Sequence, residues 1–418
     1  MTSTASAGTI VDTEGIAPGD VTALESCGVP ELPAERETLR QHLLDAIARV
    51  RPTLEADAEA NDASETLAWP SVEALYREGL LSLKVPRELG GPEVDPLLYL
   101  ELIDELSYVN SSAGWCAFIN STSTALIGAF VPDAGVDRVF GAGKMPIASG
   151  ALIPRGVATP VDGGWQVSGR WPFASGAAHS SWMLAGFRIV RDDQPGPEHM
   201  IMACPVDDVQ FLDNWQVMGL QGTGSRDFVL TDYLVPDDMA FDLLTTDPRK
   251  GGPMFWMGRP GFVTPDHAAF ALGVARRALD EIALQAGSYQ RGYLTSPIAL
   301  RGALQHDLGK CDQQLRAARA LCREALEDAW EFCLRHERPD LERQLRLRGA
   351  CVFATDVACQ VATTAFRYGG GNAIYNDRVL QRCMRDINAA AQHFMVNTSA
   401  YDNLGQFRLG MTGVNAMG

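Results

Sequence analysis

The chain of 418 residues lacks the sequence features of disulfide-rich, zinc-binding, nucleic-acid-binding and membrane-spanning proteins. Its nine cysteines form no CxxC pair and no Cys/His cluster, so neither a disulfide framework nor a zinc site is predicted. Scattered thiols fit a reducing cytoplasm. Acidic residues outnumber basic ones by 52 to 35, and this excess disfavours nucleic acid or an anionic membrane surface as a partner. No apolar run reaches the ~18 residues expected of a membrane span.

The beginning of the chain also lacks a secretory signal. The string MTSTASAGTIVDTEG has no basic region followed by an apolar core, and it is rich in small polar residues. Residues 1–30 are therefore predicted to be a disordered lead-in. The whole chain is 46% hydrophobic and 21% charged, which is typical of a soluble globular protein, and we expect a cytoplasmic one.

Hydrophobic periodicity divides the remaining chain into three regions. Residues 31–145 have helical periodicity, with Leu39, Leu43, Ile47 and Val50 on one stripe. Residues 146–245 change to a period of two, as in WQVSGRWPFAS, and predict a compact β domain. Residues 255–410 return to helical spacing, with small Ala and Cys residues that favour close helix packing. The order is helical domain, β domain, helical bundle.

The segment FRYGGGNAIYNDRVLQRCMRDINAAAQH, which ends at His393, resembles the C-terminal signature of the acyl-CoA dehydrogenase fold. Many dehydrogenases of that family carry a catalytic glutamate shortly after the Arg-Asp pair. Here Phe394 stands near that position, and phenylalanine cannot accept a proton. The string NWQVMGLQGTGSRDFVL resembles the corresponding segment in members of the oxygen-activating branch of this fold. The resemblance implies an α+β fold with an N-terminal helical domain, a middle β-barrel and a C-terminal four-helix bundle.

The branch it resembles is that of the two-component, reduced-flavin-dependent (group D) flavin monooxygenases. Such an enzyme takes FADH2 or FMNH2 from a separate flavin reductase and reacts it with O2. The resemblance implies a C4a-hydroperoxyflavin that hydroxylates an aromatic or heteroaromatic small molecule, indole-like or phenolic. The choice between FAD and FMN, the substrate and the site of oxygenation stay open at this point.

The resemblance assigns His393, Ser175 and Asn120 to catalysis. On a continuous helix His393 would share a face with Arg385 and Ala389, and an imidazole can give or take a proton near neutral pH. Ser175 matches the hydroxyl residue that is placed at flavin N(5), where it should slow loss of hydrogen peroxide. A buried structural histidine and a strand-ending serine are the simpler alternatives.

Further residues are implied as neighbours of the flavin and the substrate. Phe173, Ser175 and Thr223 would frame the isoalloxazine. Ser149 begins the string SGALIPRGVAT, which stands where dehydrogenases of the family carry a loop that serves flavin and acyl-CoA. Some phenol hydroxylases have a histidine where Asn120 stands, so Asn120 is expected to orient the substrate together with His393. Trp115 would be an aromatic wall. No metal site is predicted.

The resemblance also implies a flavin site that is completed across subunits. Arg291 and Gln305, with Gly370 and Gly371 nearby, match residues that hold the adenine side of FAD from a neighbouring subunit in tetrameric relatives. A planar guanidinium suits a pyrophosphate, although a surface arginine is the simpler interpretation of Arg291. A homotetramer, built as a dimer of dimers, is expected.

Two other functions stay open on the sequence. One is an acyl-CoA dehydrogenase-like flavoenzyme with tightly bound FAD and a relocated base such as Asp266, although a helix N-cap is the simpler interpretation of that residue. The other is a non-catalytic flavin-binding or scaffold protein, in which His393→Ala would affect no turnover.

Overall fold

The computed structural model describes residues 19–192, 194–290, 292 and 296–417. Helices come first. They are α1 (Val21–Ser26), α2 (Arg36–Ala56), α3 (Ala58–Ser64), α4 (Trp69–Arg77), α5 (Pro96–Val109), α6 (Ser111–Phe130) and α7 (Asp133–Phe140). The predicted stripe of α2 is buried, and Glu35 caps this helix by accepting from the amides of Glu37 and Thr38. Helix α6 has no charged residue and is buried over nearly its whole length.

The middle of the chain forms one eight-stranded sheet. Its strands are β1 (Ala148–Val161), β2 (Gly164–Ala174), β3 (Trp182–Arg191), β4 (Gln194–Pro195), β5 (Met200–Pro205), β6 (Gln210–Phe211), β7 (Arg226–Pro236) and β8 (Ala240–Asp242). The spatial order is β6-β7-β2-β1-β3-β5-β8, and β4 pairs with β3. Strands β1 and β3 are parallel, whereas the other pairs are antiparallel.

The prediction of a closed β-barrel is wrong. In the described part of the chain β6 and β8 are the two ends of the sheet and pair with one neighbour each, so the sheet is open. These end strands pair over only two and three residues, which is too short a ladder to bridge the gap between them. Short edges of this kind also discourage pairing with other chains.

The last region is helical and contains the predicted bundle elements. They are α8 (Thr264–Ala286), α9 (Gly302–Cys333), α10 (Leu341–Gly369), α11 (Val379–Ala390) and α12 (Ser399–Arg408). Helix α10 packs against α8, α9 and α11, and small residues such as Ala354, Ala358 and Ala362 are fully buried there. These side chains allow the close approach of helices that the sequence predicted.

Two expectations need correction, one about the beginning of the chain and one about long apolar segments. The lead-in was predicted to reach residue 30, but α1 is ordered against the sheet because Glu25 accepts from the amide of Ile147 and the hydroxyl of Ser181. The segment Leu341–Ile374 is long and apolar enough to cross a membrane by composition, although no such run was expected. It contains α10, the central helix of the bundle, and 61% of its most apolar stretch of 18 residues is buried inside the protein.

Candidate active site

A cavity of about 690 Å³ lies where the end of strand β2 meets helices α6, α10 and α11. Trp115 on α6, Phe173 and Ser175 at the end of β2, and His393 after α11 all line this cavity. The loop Val217–Leu220 forms a further wall. No acid, lysine or arginine is found among the described lining residues, so the cavity is apolar with a few uncharged polar groups.

Phe173 enters the cavity because the strand is interrupted there. The pairing register of β2 with β7 shifts between Trp171 and Ala174, and Phe173 has a positive φ of 67°. The predicted alternation therefore stops at this bulge, since Trp171 is fully buried while Phe173 is 64% exposed. The bulge aims an aromatic ring at the cavity and leaves its other edge against Trp215.

A row of three hydroxyl groups runs into the protein from the cavity wall. Trp115 Nε1 donates to Ser175 Oγ at 2.9 Å, and Ser175 Oγ lies 2.5 Å from Ser225 Oγ. Ser225 Oγ lies 2.7 Å from Thr223 Oγ1, which donates to the carbonyl of Leu220 at 2.7 Å. Ser175 and Ser225 line the cavity, whereas Thr223 is fully buried and lies outside the set of lining residues.

The backbone segments that carry these hydroxyls are tied together. The amide of Gly176 donates to the carbonyl of Thr223 at 2.8 Å, and Ser149 Oγ donates to the carbonyl of Ser175 at 2.5 Å. Ser149 is fully buried and does not line the cavity. Its structural position is thus that of an anchor for Ser175, and the predicted direct contact between Ser149 and a flavin has no counterpart in the geometry.

The Arg-Asp pair of the family signature holds the loop on the opposite wall. Arg385 donates to the carbonyl of Met218 at 3.1 Å and to the side chain of Gln221 at 2.9 Å. Asp386 accepts from the amide of Leu220 at 2.7 Å and from the hydroxyl of Ser111. Burial raises the pKa of Asp386 to about 6, because an ionised carboxylate loses hydration there.

His393 lines the cavity, but from a position beyond the helix. Helix α11 ends at Ala390, and the amide of His393 donates back to that residue's carbonyl in a tight turn. The expected continuous face from Arg385 through His393 is therefore wrong. His393 Nδ1 accepts from the amide of Met395 at 3.3 Å, and burial lowers the pKa of His393 to about 4. The ring is a neutral imidazole whose proton resides on Nε2.

His267 is a neighbour of the site that the sequence did not reveal. Its ring stacks on His393 with centroids 4.1 Å apart, and Trp115 and Phe118 meet it edge-on at 5.3 and 5.1 Å. Both ring nitrogens of His267 are buried without a hydrogen-bond partner among the described residues. Burial, with the nearby charge of Lys84, lowers the pKa of His267 well below its usual value. The two stacked rings are therefore both neutral.

The residue before His267 is fixed in a buried ion pair. Asp266 lies 2.7 Å from Lys84 Nζ, both side chains are 1% exposed, and Thr122 also donates to the carboxylate. Asp266 stands in the first turn of α8, whose N-cap residue is Val263, so its interpretation as an N-cap acid is wrong. The pair anchors the start of α8 beneath the cavity.

Asn120 does not take part in the cavity. Its Nδ2 donates to the carbonyl of Ala148 at 3.0 Å and to Ser180 Oγ at 3.3 Å, while its Oδ1 pairs with His179 Nε2 at 3.1 Å. The side chain is fully buried and its polar atoms are used within the protein. Helix α6 turns this position towards β1, so Asn120 is not among the residues that line the cavity, and its contact with a substrate stays a prediction.

Three of the residues predicted to serve a second subunit are described, namely Gln305, Gly370 and Gly371; they lie at one end of the helical bundle and are not among the residues that line the cavity. Gln305 lies near the start of α9, and Gly370 and Gly371 directly follow the end of α10. Tyr368 on α10 donates to Asp307 on α9 at 2.7 Å, and this bond holds the two helix ends together. Gln305 is exposed, and its side-chain amide donates to the carbonyl of Ala299 at 2.9 Å. Arg291 lies outside the described residues.

Comparison with known proteins matches this architecture. Residues 33–134 match the family model for the acyl-CoA dehydrogenase N-terminal domain, and residues 266–398 match that for the C-terminal domain. Together they cover more than half of the chain and flank the open sheet. The chain belongs to the acyl-CoA dehydrogenase family.

Relatives narrow the assignment within that family. An indole-3-acetate monooxygenase of Pseudomonas putida is 29% identical over 349 residues, covering 84% of this chain and 89% of the relative. The oxygenase subunit HsaA, a flavin-dependent monooxygenase of Rhodococcus jostii, is 27% identical over 358 residues, covering 84% and 92%. The fold also superposes on XiaF from Streptomyces sp., in complex with FADH2 and glycerol, with a TM-score of 0.82, 22% identity and coverage of 90% and 97%. Both of these curated relatives are named as monooxygenases, and each matches the chain over most of its length.

Proposed function

We propose that this protein is the oxygenase component of a two-component flavin monooxygenase that hydroxylates an aromatic or heteroaromatic small molecule. The observation that carries the proposal is the hydroxyl row ending at Ser175, set in a cavity without a carboxylate among its described lining residues. FADH2 or FMNH2 is the cofactor of this proposal. The chemistry that such a reduced flavin supplies when bound is activation of O2 for insertion of one oxygen atom.

The side chains of the cavity fit a flavin ring. Phe173 presents an exposed aromatic surface, and Ser175 Oγ retains a lone pair beyond its bonds to Trp115 and Ser225. A cavity volume of about 690 Å³ lies within the range of small-molecule sites. Phe173 and Ser175 would hold the isoalloxazine, and the walls around them would exclude water.

His393 supports the substrate side of the proposal. As a neutral ring with its proton on Nε2, it donates a hydrogen bond and does not act as a base, because Nδ1 already accepts from Met395. Trp115 would pack against the aromatic ring of the substrate. These two side chains and the names of the relatives support an indole-like or phenolic substrate. Indole-3-acetate is the first probe to use, because a relative is named for it.

The dehydrogenase alternative lacks support in the site. Removal of an α-proton from an acyl-CoA needs a base at the cavity, and none of the described lining residues is an acid. Asp266, the relocated base of that alternative, is ion-paired with Lys84 and lies outside the cavity lining.

The proposal extends to partners. A flavin reductase would supply the reduced flavin, since relatives such as HsaA are named as oxygenase subunits. A homotetramer in the cytoplasm is part of the proposal, in which Gln305, Gly370 and Gly371 would reach the flavin of a neighbouring subunit. Their place at the exposed end of the bundle supports this arrangement.

The test is to mix the protein anaerobically with reduced FAD or FMN and then rapidly with oxygenated buffer. We expect a long-lived near-ultraviolet absorbance distinct from that of oxidised flavin, and incorporation of label from ¹⁸O₂ into indole-3-acetate or a phenol. Ser175→Ala should shorten the lifetime of this absorbance and raise the rate of hydrogen peroxide release about tenfold, because one hydrogen bond is lost. Ser82→Ala, a buried serine outside the cavity, is the control. Immediate reoxidation by wild-type protein in the presence of every probe, without label in any product, would refute the proposal.

A further inference from the structure

The hydroxyl row between Ser175 and Leu220 has a direction that the distances fix. A carbonyl cannot donate, so Thr223 must spend its single proton on the carbonyl of Leu220 at 2.7 Å. Thr223 Oγ1 is then an acceptor at its other contact. The contact of 2.7 Å between Thr223 and Ser225 is therefore made by the proton of Ser225.

The same argument applies one step nearer the cavity. Because the proton of Ser225 points to Thr223, the contact of 2.5 Å between Ser175 and Ser225 must be made by the proton of Ser175. The indole Nε1 of Trp115 has only a proton to offer, so Ser175 Oγ accepts from it at 2.9 Å. Ser175 is left with one lone pair and no free proton.

From this order we propose that Thr223 and Ser225 are positioning residues that make Ser175 an acceptor towards the cavity. The inference rests on the proposed function, in which Ser175 faces flavin N(5). N(5) carries a proton in reduced flavin and only a lone pair in oxidised flavin. The row therefore selects the reduced form, since an oxidised ring would place two lone pairs against each other.

Burial keeps the order of the row from reversing. Ser175, Thr223 and Ser225 are 3%, 0% and 3% exposed, so bulk water does not compete for their protons. Reversal would leave the carbonyl of Leu220 facing the Thr223 oxygen without a proton between them, which carries the cost of a buried unpaired acceptor. That carbonyl belongs to the same residue whose amide Asp386 holds, so the end of the row is fixed in space.

The experiment measures dissociation constants for oxidised and reduced flavin, the latter under anaerobic conditions, without any turnover. Thr223→Val removes the terminal hydroxyl at nearly constant volume, so the proton of Ser225 is free to turn towards Ser175 and that of Ser175 towards the cavity. We expect the ratio of oxidised to reduced dissociation constants to fall about tenfold, the worth of one hydrogen bond. Ser225→Ala should lower the ratio in the same direction, whereas Thr223→Ser, which keeps the hydroxyl, should preserve it.

The outcomes separate this inference from the proposed function. A wild-type protein that binds neither form of flavin would refute the proposed function and this inference with it. Wild-type protein that prefers reduced flavin, with an unchanged ratio in both Thr223→Val and Ser225→Ala, would overturn the inference alone. Loss of affinity for both forms by the same factor would show a merely structural role for the row, and it would also overturn the inference.

Discussion

Asp386→Asn offers a direct test of how the cavity loop is held. The wild-type carboxylate is fully buried, accepts from Leu220 and Ser111, and has its pKa raised from 3.8 to about 6 mainly by burial. An asparagine keeps the shape and an acceptor for the Leu220 amide, while its amide group can donate to Ser111. Only the ionisation is removed.

The magnitude follows from linkage between protonation and folding. A carboxyl group whose pKa is higher in the folded state stabilises the fold below its unfolded pKa of about 3.8, and this contribution is lost as the pH rises through about 6. A difference of about two pH units corresponds to about 3 kcal/mol. The unfolding free energy of wild type, minus that of Asp386→Asn, should therefore fall by about 2 kcal/mol between pH 4 and pH 7, because part of the contribution is already lost at pH 4.

Urea denaturation at a series of pH values would measure this difference. The other titrating groups are common to both proteins and cancel in the subtraction. Asp386→Ala is the contrasting variant: it leaves two buried donors, the Leu220 amide and the Ser111 hydroxyl, without an acceptor, and should cost about 2–4 kcal/mol relative to Asp386→Asn at every pH. A difference curve that stays flat from pH 4 to pH 8, or an alanine variant as stable as the asparagine variant, would refute the reasoning.

Two further perturbations test neighbouring groups. Lys84→Met should lower the unfolding free energy by about 3–5 kcal/mol, because Asp266 then keeps a buried, unpaired charge. Adding Asp266→Leu should restore most of this loss in the same denaturation assay. A loss under about 1 kcal/mol in Lys84→Met would contradict the reasoning. Burial lowers the pKa of His393 to about 4, so its stabilising contribution is present above about 6.5 and is lost as the pH falls through 4. His393→Asn should remove this acid loss, and an unchanged acid limb of stability would argue against a buried neutral ring.

Much of the architecture was accessible from the sequence because helical periodicity depends on local spacing. The stripe of α2 from Leu39 to Val50 is buried as the pattern predicts, and the small residues of α10 pack closely in the bundle. The family resemblance was equally local, since it rests on short strings around Gly370 and Arg385. The same strings place Phe394 near the position of the family's catalytic glutamate, and this pointed to oxygen chemistry.

Closure of the sheet and the direction of individual side chains could not be predicted in this way. Alternation placed Trp171, Phe173 and Ser175 on one face, but the bulge and the positive φ of Phe173 separate them. Whether a sheet closes depends on the pairing of its first and last strands, which are distant in sequence. Asn120 faces β1 because of how α6 is rotated against the sheet. The sequence of α6 has no charged residue to mark an outer face, so it gives no preferred orientation.

The sequence by itself determined the order of helical and β regions, the family, and the presence of Ser175 and His393 next to a cavity without the family's glutamate. Tertiary structure decided what those two side chains can do. Ser175 is an acceptor because Ser225 and Thr223 lie in line behind it, and His393 is a donor because Met395 occupies its other nitrogen. A hydroxyl or an imidazole can give or accept a hydrogen bond, and only its partners in space fix which of the two it does.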